Sequence, residues 1–293
     1  MDAIHTTLLT KYYGKVRGVI DLDLTVRQGD FFGFIGPNGA GKSTTIRMLL
    51  GLIHPTSGSA QVLGLDVVRN SRALLSRVGY LPSESAFYPG MRVKDVLRLS
   101  ANLRKANCKP EATRLCERLQ LDPMRKVDEL SFGNRKKVSI VCALQHCPEL
   151  LILDEATSGL DPLMQQEFFA ILRERHTAGA TIFLSSHVLS EIQRNCTRAA
   201  IIREGRLIAC DSVGALRNTA AKRVTLHGTA DLSGLNGVRD LQTSKDGLSF
   251  LYSGEIQALI HVLDGSHISD LSISEPDLEE VFMHYYTDGG ERE

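Results

Sequence analysis

The 293-residue chain has no apolar run that could cross a membrane. Spanning takes roughly twenty consecutive apolar residues, and stretches such as MLLGLI at 48–53 fall far short. If the protein works at a membrane, another chain supplies the spanning helices. The N-terminal stretch MDAIHTTLLTKYYG lacks a basic start followed by an apolar core, so no secretory signal is expected. Neither charge sign is in excess, with Lys plus Arg and Asp plus Glu at 34 each. Binding by phosphate neutralisation normally needs a basic surplus, so no nucleic-acid partner is expected. The six cysteines (108, 116, 142, 147, 196 and 210) form no CxxC pair and no metal-site spacing. Cys142, His146 and Cys147 are neighbours in sequence, but helical spacing and small-residue burial account for them without a metal. Free thiols in this number fit a reducing cytoplasm. Low-complexity tracts and internal repeats are absent too.

What is present is a globular composition, 43% hydrophobic, on a chain long enough for one large and one small domain. Residues 1–33 alternate like strands, and FFGFIG ends that region as a buried strand. A helical pattern follows at 42–52. Residues 91–121 read as largely helical, with a break near Lys109-Pro110. The runs ELLILDE and ATIFLSSH are short, unalternating and followed by helical patterns, which predicts parallel strands buried on both faces. The texture changes after about residue 216. RVTLHG, GVRDLQT and LSFLYSG read as strands, EIQALIHVLDG as a helix, HISDLSIS as a strand and DLEEVFMHYY as a final helix. A small α+β appendage over 217–293, joined through LRNTAAK, is expected to follow an α/β domain over 1–216.

GPNGAGKST at 36–44 matches G-x-x-x-x-G-K-[ST] after a strand and before a helix. Glycines there let successive backbone N–H groups turn toward phosphate oxygens, and the helix N-terminus adds partial positive charge. Gly36, Pro37, Asn38, Gly39, Ala40, Gly41 and Thr44 are the expected cradle. Lys42 is expected to reach the β- and γ-phosphates, and the Ser43 hydroxyl to ligate Mg²⁺. LLILDE supplies the remaining chemistry: Asp154 for the metal, directly or through water, and Glu155 to polarise a water attacking the γ-phosphate. A polar turn, LSFGN at 130–134, precedes a helix-like basic run. Ser131 or Asn134 could cap that helix by accepting from its free N–H groups.

In this order, GPNGAGKST, LSFGN, LLILDEAT, SGLD and the strand-end histidine of SSH, the sequence resembles the ATP-binding subunits of ABC transporters. The resemblance runs from about residue 3 to 216 and continues less specifically beyond. It implies an α/β fold: a P-loop ABC ATPase domain with a mixed, mainly parallel core sheet, an antiparallel β subdomain and an α-helical subdomain over roughly 84–148. It implies ATP and Mg²⁺ as cofactors, and hydrolysis of ATP coupled to transport through separately encoded transmembrane permease subunits. The subunit would sit in the cytoplasm, peripheral at the inner face of the membrane.

The resemblance also assigns a task to LSFGN. In such subunits two copies pack head to tail, and each signature turn caps the γ-phosphate of ATP held by the other. Ser131 and Gly133 would then complete a partner's site in a homodimer, or in a heterodimer with a similar subunit, formed on ATP binding. Arg135, Lys136 and Lys137 continue that helix as solvated charges. Tyr13, or its neighbour Tyr12, stacks on adenine. His187 holds the γ-phosphate and the attacking water, and Asp161 shapes the dimer interface.

Three departures stand out. The family's usual glutamine after the strand that follows the P-loop helix falls on Ser83, with Glu84 next. Either Glu84 substitutes, or water fills the gap, or the segment around Ser83–Tyr88 serves as the contact to the membrane subunits. Phe132 and Asn134 replace the common glycine and glutamine of the signature, and Ala156 replaces a proline. The overall pattern resembles multidrug and antibiotic exporter subunits more than importers. The alternative is a soluble ABC ATPase acting in DNA repair or on the ribosome. The absence of a long insertion before LSFGN and the presence of one cassette argue against it.

Overall fold

The three unalternating apolar runs become the middle of one sheet. In the computed structural model, which describes residues 1–217, 222–244 and 247–274, β4 (Phe31–Ile35), β8 (Leu150–Asp154) and β9 (Thr181–Ser186) are buried at every position. They lie in a six-stranded sheet of order β11 (Arg206–Ser212), β10 (Arg198–Arg203), β4, β9, β8, β7 (Val78–Leu81). The pairings from β10 through to β7 are parallel. Parallel neighbours need crossovers that cover both sheet faces, so the strands can be apolar throughout. Here α1 (Lys42–Leu49) follows β4, α6 (Pro162–Thr177) follows β8 and α7 (Leu189–Asn195) follows β9.

Strand register sets the functional edge. Ile35 pairs with Ser186 across β4 and β9, and Asp154 pairs with Ser185 across β8 and β9. The loops beginning at Gly36, Glu155 and His187 therefore leave the sheet side by side. This is the C-terminal edge of a parallel sheet, where ligands of α/β folds bind.

An antiparallel sheet joins β2 (Val16–Leu22), β1 (Asp2–Tyr13), β5 (Ser57–Val62) and β6 (Leu65–Asp66), with β3 (Thr25–Arg27) on β1. One core of Leu9, Val19, Val62, Ile46, Phe34 and Phe183 links it to α1 and the parallel sheet. Phe32 stacks on Phe183 with ring centroids 5.9 Å apart. Ahead of β7 lies α2 (Ser71–Arg77). Beyond β7, α3 (Val93–Leu103) and α4 (Lys109–Arg118) pack on α5 (Phe132–Leu144). The expected helix break falls at 104–108, ahead of Pro110. That proline sits in the first turn of α4, where its missing N–H costs no helical bond. Helix α1 stops at Leu49, short of the expected residue 52, with Gly51 in the left-handed conformation at φ 65°.

The chain divides into two compact units, Met1–Cys210 and Asp211–Glu293, a division at 210/211 where the sequence suggested 216/217. The second unit begins in the end of β11 and α8 (Val213–Arg217). It carries an antiparallel sheet of order β13 (Val238–Thr243), β14 (Gly247–Tyr252), β12 (Lys222–Thr229), β15 (His267–Ser274). Leu259 and Leu263 of α9 (Ile256–Asp264) pack on Val224, Leu226, Phe250 and Tyr252. The final helix expected over DLEEVFMHYY, and the middle of the LRNTAAK connection, lie outside the described residues.

Candidate active site

The loop from β4 to α1 is shaped by backbone approaches that exclude side chains. A Cβ on Gly36 would lie 2.5 Å from the Ile202 carbonyl, and one on Gly41 would lie 2.8 Å from the Gly18 carbonyl. Gly41 also takes a φ of 107°, open only to glycine at low cost, and α1 begins there with no side-chain cap. Its first N–H groups therefore face the loop cavity, where the helix dipole favours an anion.

Lys42 is only 6% exposed. Its Nζ donates to the carbonyls of Gly36 (2.5 Å) and Pro37 (3.2 Å), and stands 3.4 Å from Glu155 Oε1. Behind it, Ser43 Oγ donates to Asp154 Oδ2 at 2.8 Å, and Ser185 Oγ donates to Oδ1 at 2.9 Å. Asp154 is 1% exposed, so both oxygens of a buried carboxylate are held by hydroxyls from neighbouring elements. Ser185 was not identified from the sequence. Its role follows from the strand register alone, which faces it toward Asp154.

Glu155 leaves β8 with a φ of 47°, a left-handed conformation that costs a β-carbon residue about 1 kcal/mol or more. Its N–H donates to the Ser185 carbonyl at 3.1 Å, which fixes the turn. Oε2 lies 2.6 Å from His187 Nδ1. Oε1 is buried and accepts no hydrogen bond, its nearest charged neighbour being Lys42. A buried acceptor without a donor is uncommon and marks a position built to take one. Glu191 braces both loops beneath, accepting from Thr157 Oγ1 (2.6 Å) and Ser186 Oγ (2.9 Å). It too escaped sequence reasoning, because an acidic residue in the first turn of a helix reads as ordinary dipole compensation.

A cleft of about 310 Å³ is lined by Pro37, Asn38, Gly39, Gly41, Lys42, Ser43 and Thr44 together with Glu155. Gly36 and Ala40, both buried, do not border it. Tyr13, Arg17, Gly18 and Ser83 complete the lining. Arg17 and Gly18 had no sequence signal, since they enter from β2. Of the two tyrosines, Tyr13 borders the cleft and Tyr12 does not. The Tyr13 ring carries the Lys11 ammonium 5.5 Å from its centroid. His187 is half exposed, at the cleft edge through its bond to Glu155.

The signature turn lies elsewhere. Ser131 caps α5, its Oγ accepting from the Asn134 N–H at 3.3 Å, so Ser131 rather than Asn134 is the cap. Neither Ser131 nor Gly133 borders the P-loop cleft of the same chain. The turn interlocks with the SGLD loop: a Cβ on Gly133 would come within 2.4 Å of the Gly159 carbonyl, and the half-exposed Phe132 ring covers Gly159. Asp161 caps α6 by accepting from Met164 N–H at 2.9 Å. One expectation fails here. Arg135 is exposed, but Lys136 and Lys137 are buried, Lys136 against the 82–85 loop, whose Pro82 and Ser83 carbonyls accept from its ammonium. A smaller cavity of about 150 Å³, lined by Ser83, Glu84, Ser85, Phe132, Arg135 and Lys136, adjoins them. Ser83 faces both spaces, whereas exposed Glu84 borders only the smaller one.

This arrangement defines a P-loop nucleotide-binding fold with an acidic strand end beside the phosphate loop. Residues 19–158 match the ABC transporter family model. The bacitracin transport ATP-binding protein BcrA of Bacillus licheniformis is 35% identical, over 96% of this chain and 96% of its own. The Nod factor export ATP-binding protein I of Paraburkholderia xenovorans is 36% identical, over 73% and 72% respectively. A solved structure of an ATP-binding subunit of an ABC transporter superposes with a TM-score of 0.70 at 29% identity, covering 73% of this chain and 92% of the other. The chain belongs to the ABC transporter family as an ATP-binding subunit, an ATPase that powers transport. Such subunits work with separate membrane subunits, and no helix among the described residues is long and apolar enough to cross a membrane.

Proposed function

We propose that the protein hydrolyses ATP to drive an exporter, with Glu155 as the base that activates water. The carrying observation is Glu155 in the wall of the cleft lined by the phosphate loop, its Oε1 standing 3.4 Å from Lys42 Nζ and accepting no hydrogen bond. A water there would donate to Oε1 and lie in line with a γ-phosphate held by the α1 N-terminus. The phosphates would draw the Lys42 ammonium from the loop carbonyls, replacing two dipoles by full negative charge. His187 keeps Glu155 oriented through Oε2, and its half-exposed ring can reach the γ-phosphate. Tyr13 offers a π face at the cleft mouth for adenine.

Mg²⁺ fits the donor set. One hydroxyl (Ser43) and one carboxylate (Asp154) meet at 2.8 Å, and this ion is usually held by few protein oxygens plus phosphates and water. Bound there, it would neutralise charge on the β- and γ-oxygens.

Two copies closing head to tail would place Ser131 and Gly133 of one against ATP on the other. The weak 3.3 Å cap bond of Ser131 leaves its hydroxyl free to turn toward an anion. Export as the direction of transport is supported by the Nod factor relative, and the membrane subunits would hold the protein at the inner face of the membrane. Steady-state ATPase assays on wild type and Glu155→Gln, with nucleotide binding measured in parallel, test the assignment. Hydrolysis should collapse while ATP binding persists. Turnover at the wild-type rate in Glu155→Gln would remove Glu155 from the role.

A further inference from the structure

Lys136 is 2% exposed, the most buried lysine among the described residues, yet it sits in a run the sequence presents as surface charge. Burying an ammonium is costly unless its donors are used. Its Nζ donates to two backbone carbonyls, Pro82 at 3.0 Å and Ser83 at 3.1 Å. One turn further along the same face of α5, Ser139 Oγ bonds Ser85 Oγ at 2.5 Å. The signature helix is thus stitched twice to residues 82–85. Ser83 borders the phosphate cleft with a short side chain, so its backbone position limits what its hydroxyl can reach. Burial pushes the Lys136 pKa down to about 8, opposed in part by the charges of Asp154 and Glu155, which favour the protonated ammonium.

We infer that Lys136 is a positioning residue for hydrolysis: its buried ammonium clamps the Pro82 and Ser83 carbonyls, so that the Ser83 loop at the nucleotide cleft and the turn carrying Ser131 move as one body. The inference rests on the reading of the cleft as a hydrolytic ATP site. It deepens that reading by naming what couples the two halves. A flexible apolar side chain at 136 would fill the space but leave two carbonyls without a donor. The loop would then relax independently of α5. Arginine would keep a charge and several donors, and so hold part of the clamp.

The test compares full-length wild type, Lys136→Met, Lys136→Arg and Glu155→Gln, in ATPase assays with separate kcat and KM and with amide hydrogen exchange over 82–90. Lys136→Met should lower kcat about tenfold or more, as expected when a charge-assisted bond positioning a reactive loop is lost, with KM within about threefold. Exchange at 83–88 should accelerate in Lys136→Met, and Lys136→Arg should recover most of both losses. Folded Lys136→Met with wild-type kcat and unchanged exchange overturns the inference, and so does a loss that arginine fails to recover. If Lys136→Met does not fold, Ser139→Ala, which removes the second stitch, should raise exchange at 83–88 and lower kcat severalfold; no change in either overturns the clamp. Glu155→Gln separates the two claims. Normal hydrolysis in that variant defeats the site reading, whereas its loss alongside normal Lys136→Met defeats the clamp alone.

Discussion

Two helix N-termini dominate the ATP-binding unit, and they are finished in opposite ways. Helix α1 opens at Gly41 with no side-chain cap, its N–H groups turned into a cleft that also holds Lys42, Ser43 and Glu155. Helix α5 opens at Ser131, which caps it with its own hydroxyl. The first is built around an anion and cannot satisfy itself. The second has one of its free N–H groups capped within its own chain, by a 3.3 Å bond, and lies outside that chain's cleft. On the proposed reading, the P-loop end should bind nucleotide alone, whereas the signature end should contribute only when another copy brings a phosphate to it.

The largest test of that contrast is Lys42→Ala. Removing the ammonium that would meet the β- and γ-phosphates should weaken ATP binding at least 100-fold, on the order of a lost charge-assisted pair, as read by fluorescent-nucleotide titration. Near-normal affinity would mean that α1 and the loop amides suffice. Glu155→Gln should bind ATP normally and hydrolyse it about 10²–10⁴-fold more slowly, the usual cost of a positioned base.

Ser131→Arg sharpens the other side. In the Glu155→Gln background it should leave monomer binding intact and abolish ATP-dependent dimerisation, measured by light scattering. A Ser131→Arg protein that still dimerises with ATP would end the trans-capping account.

Smaller effects follow at the edges of α5. His146, just beyond its C-terminal end, is held neutral: burial and the Arg104 charge push its pKa down to about 4. The unfolded chain takes up a proton near pH 6.5 and the folded one does not until about pH 4. Stability is therefore lost as pH falls through that window, by up to about 3 kcal/mol. Thermal melts from pH 7 to 4 should steepen in wild type and flatten in His146→Asn; parallel curves would contradict the assignment. Glu84→Ala should change the isolated subunit's ATPase by less than about twofold, as an exposed substitution does, because Glu84 borders only the smaller cavity. Ser83→Ala should act more strongly. A reversed order would show that the carboxylate reaches the cleft after all.

The chain's own order of residues determined much of this. Unalternating LLILD and TIFLSS, each short and followed by a helical pattern, read as strands covered on both faces, and the G-x-x-x-x-G-K-[ST] turn between a strand and a helix read as a phosphate loop, because both signals are local. Lys42, Ser43, Asp154 and Glu155 were expected from the glycine-rich motif and the acidic strand end, and His187 from the family resemblance; all five stand at or next to a strand or helix end. Tertiary structure decided the rest. Whether Tyr13 or Tyr12 faces the cleft depends on how β1 pairs with β2, through registers that shift between Leu9 and Tyr12. Ser185 and Glu191 act through neighbours 31 and 34 residues away. Lys136 and Lys137 read as solvated because charge in a helix normally is. Both are buried, and Lys136 is held by the carbonyls of a loop more than fifty residues earlier in the chain, which meets α5 there. A contact of that kind costs chain entropy and is made only where the whole fold brings its partners together, so no local pattern announces it.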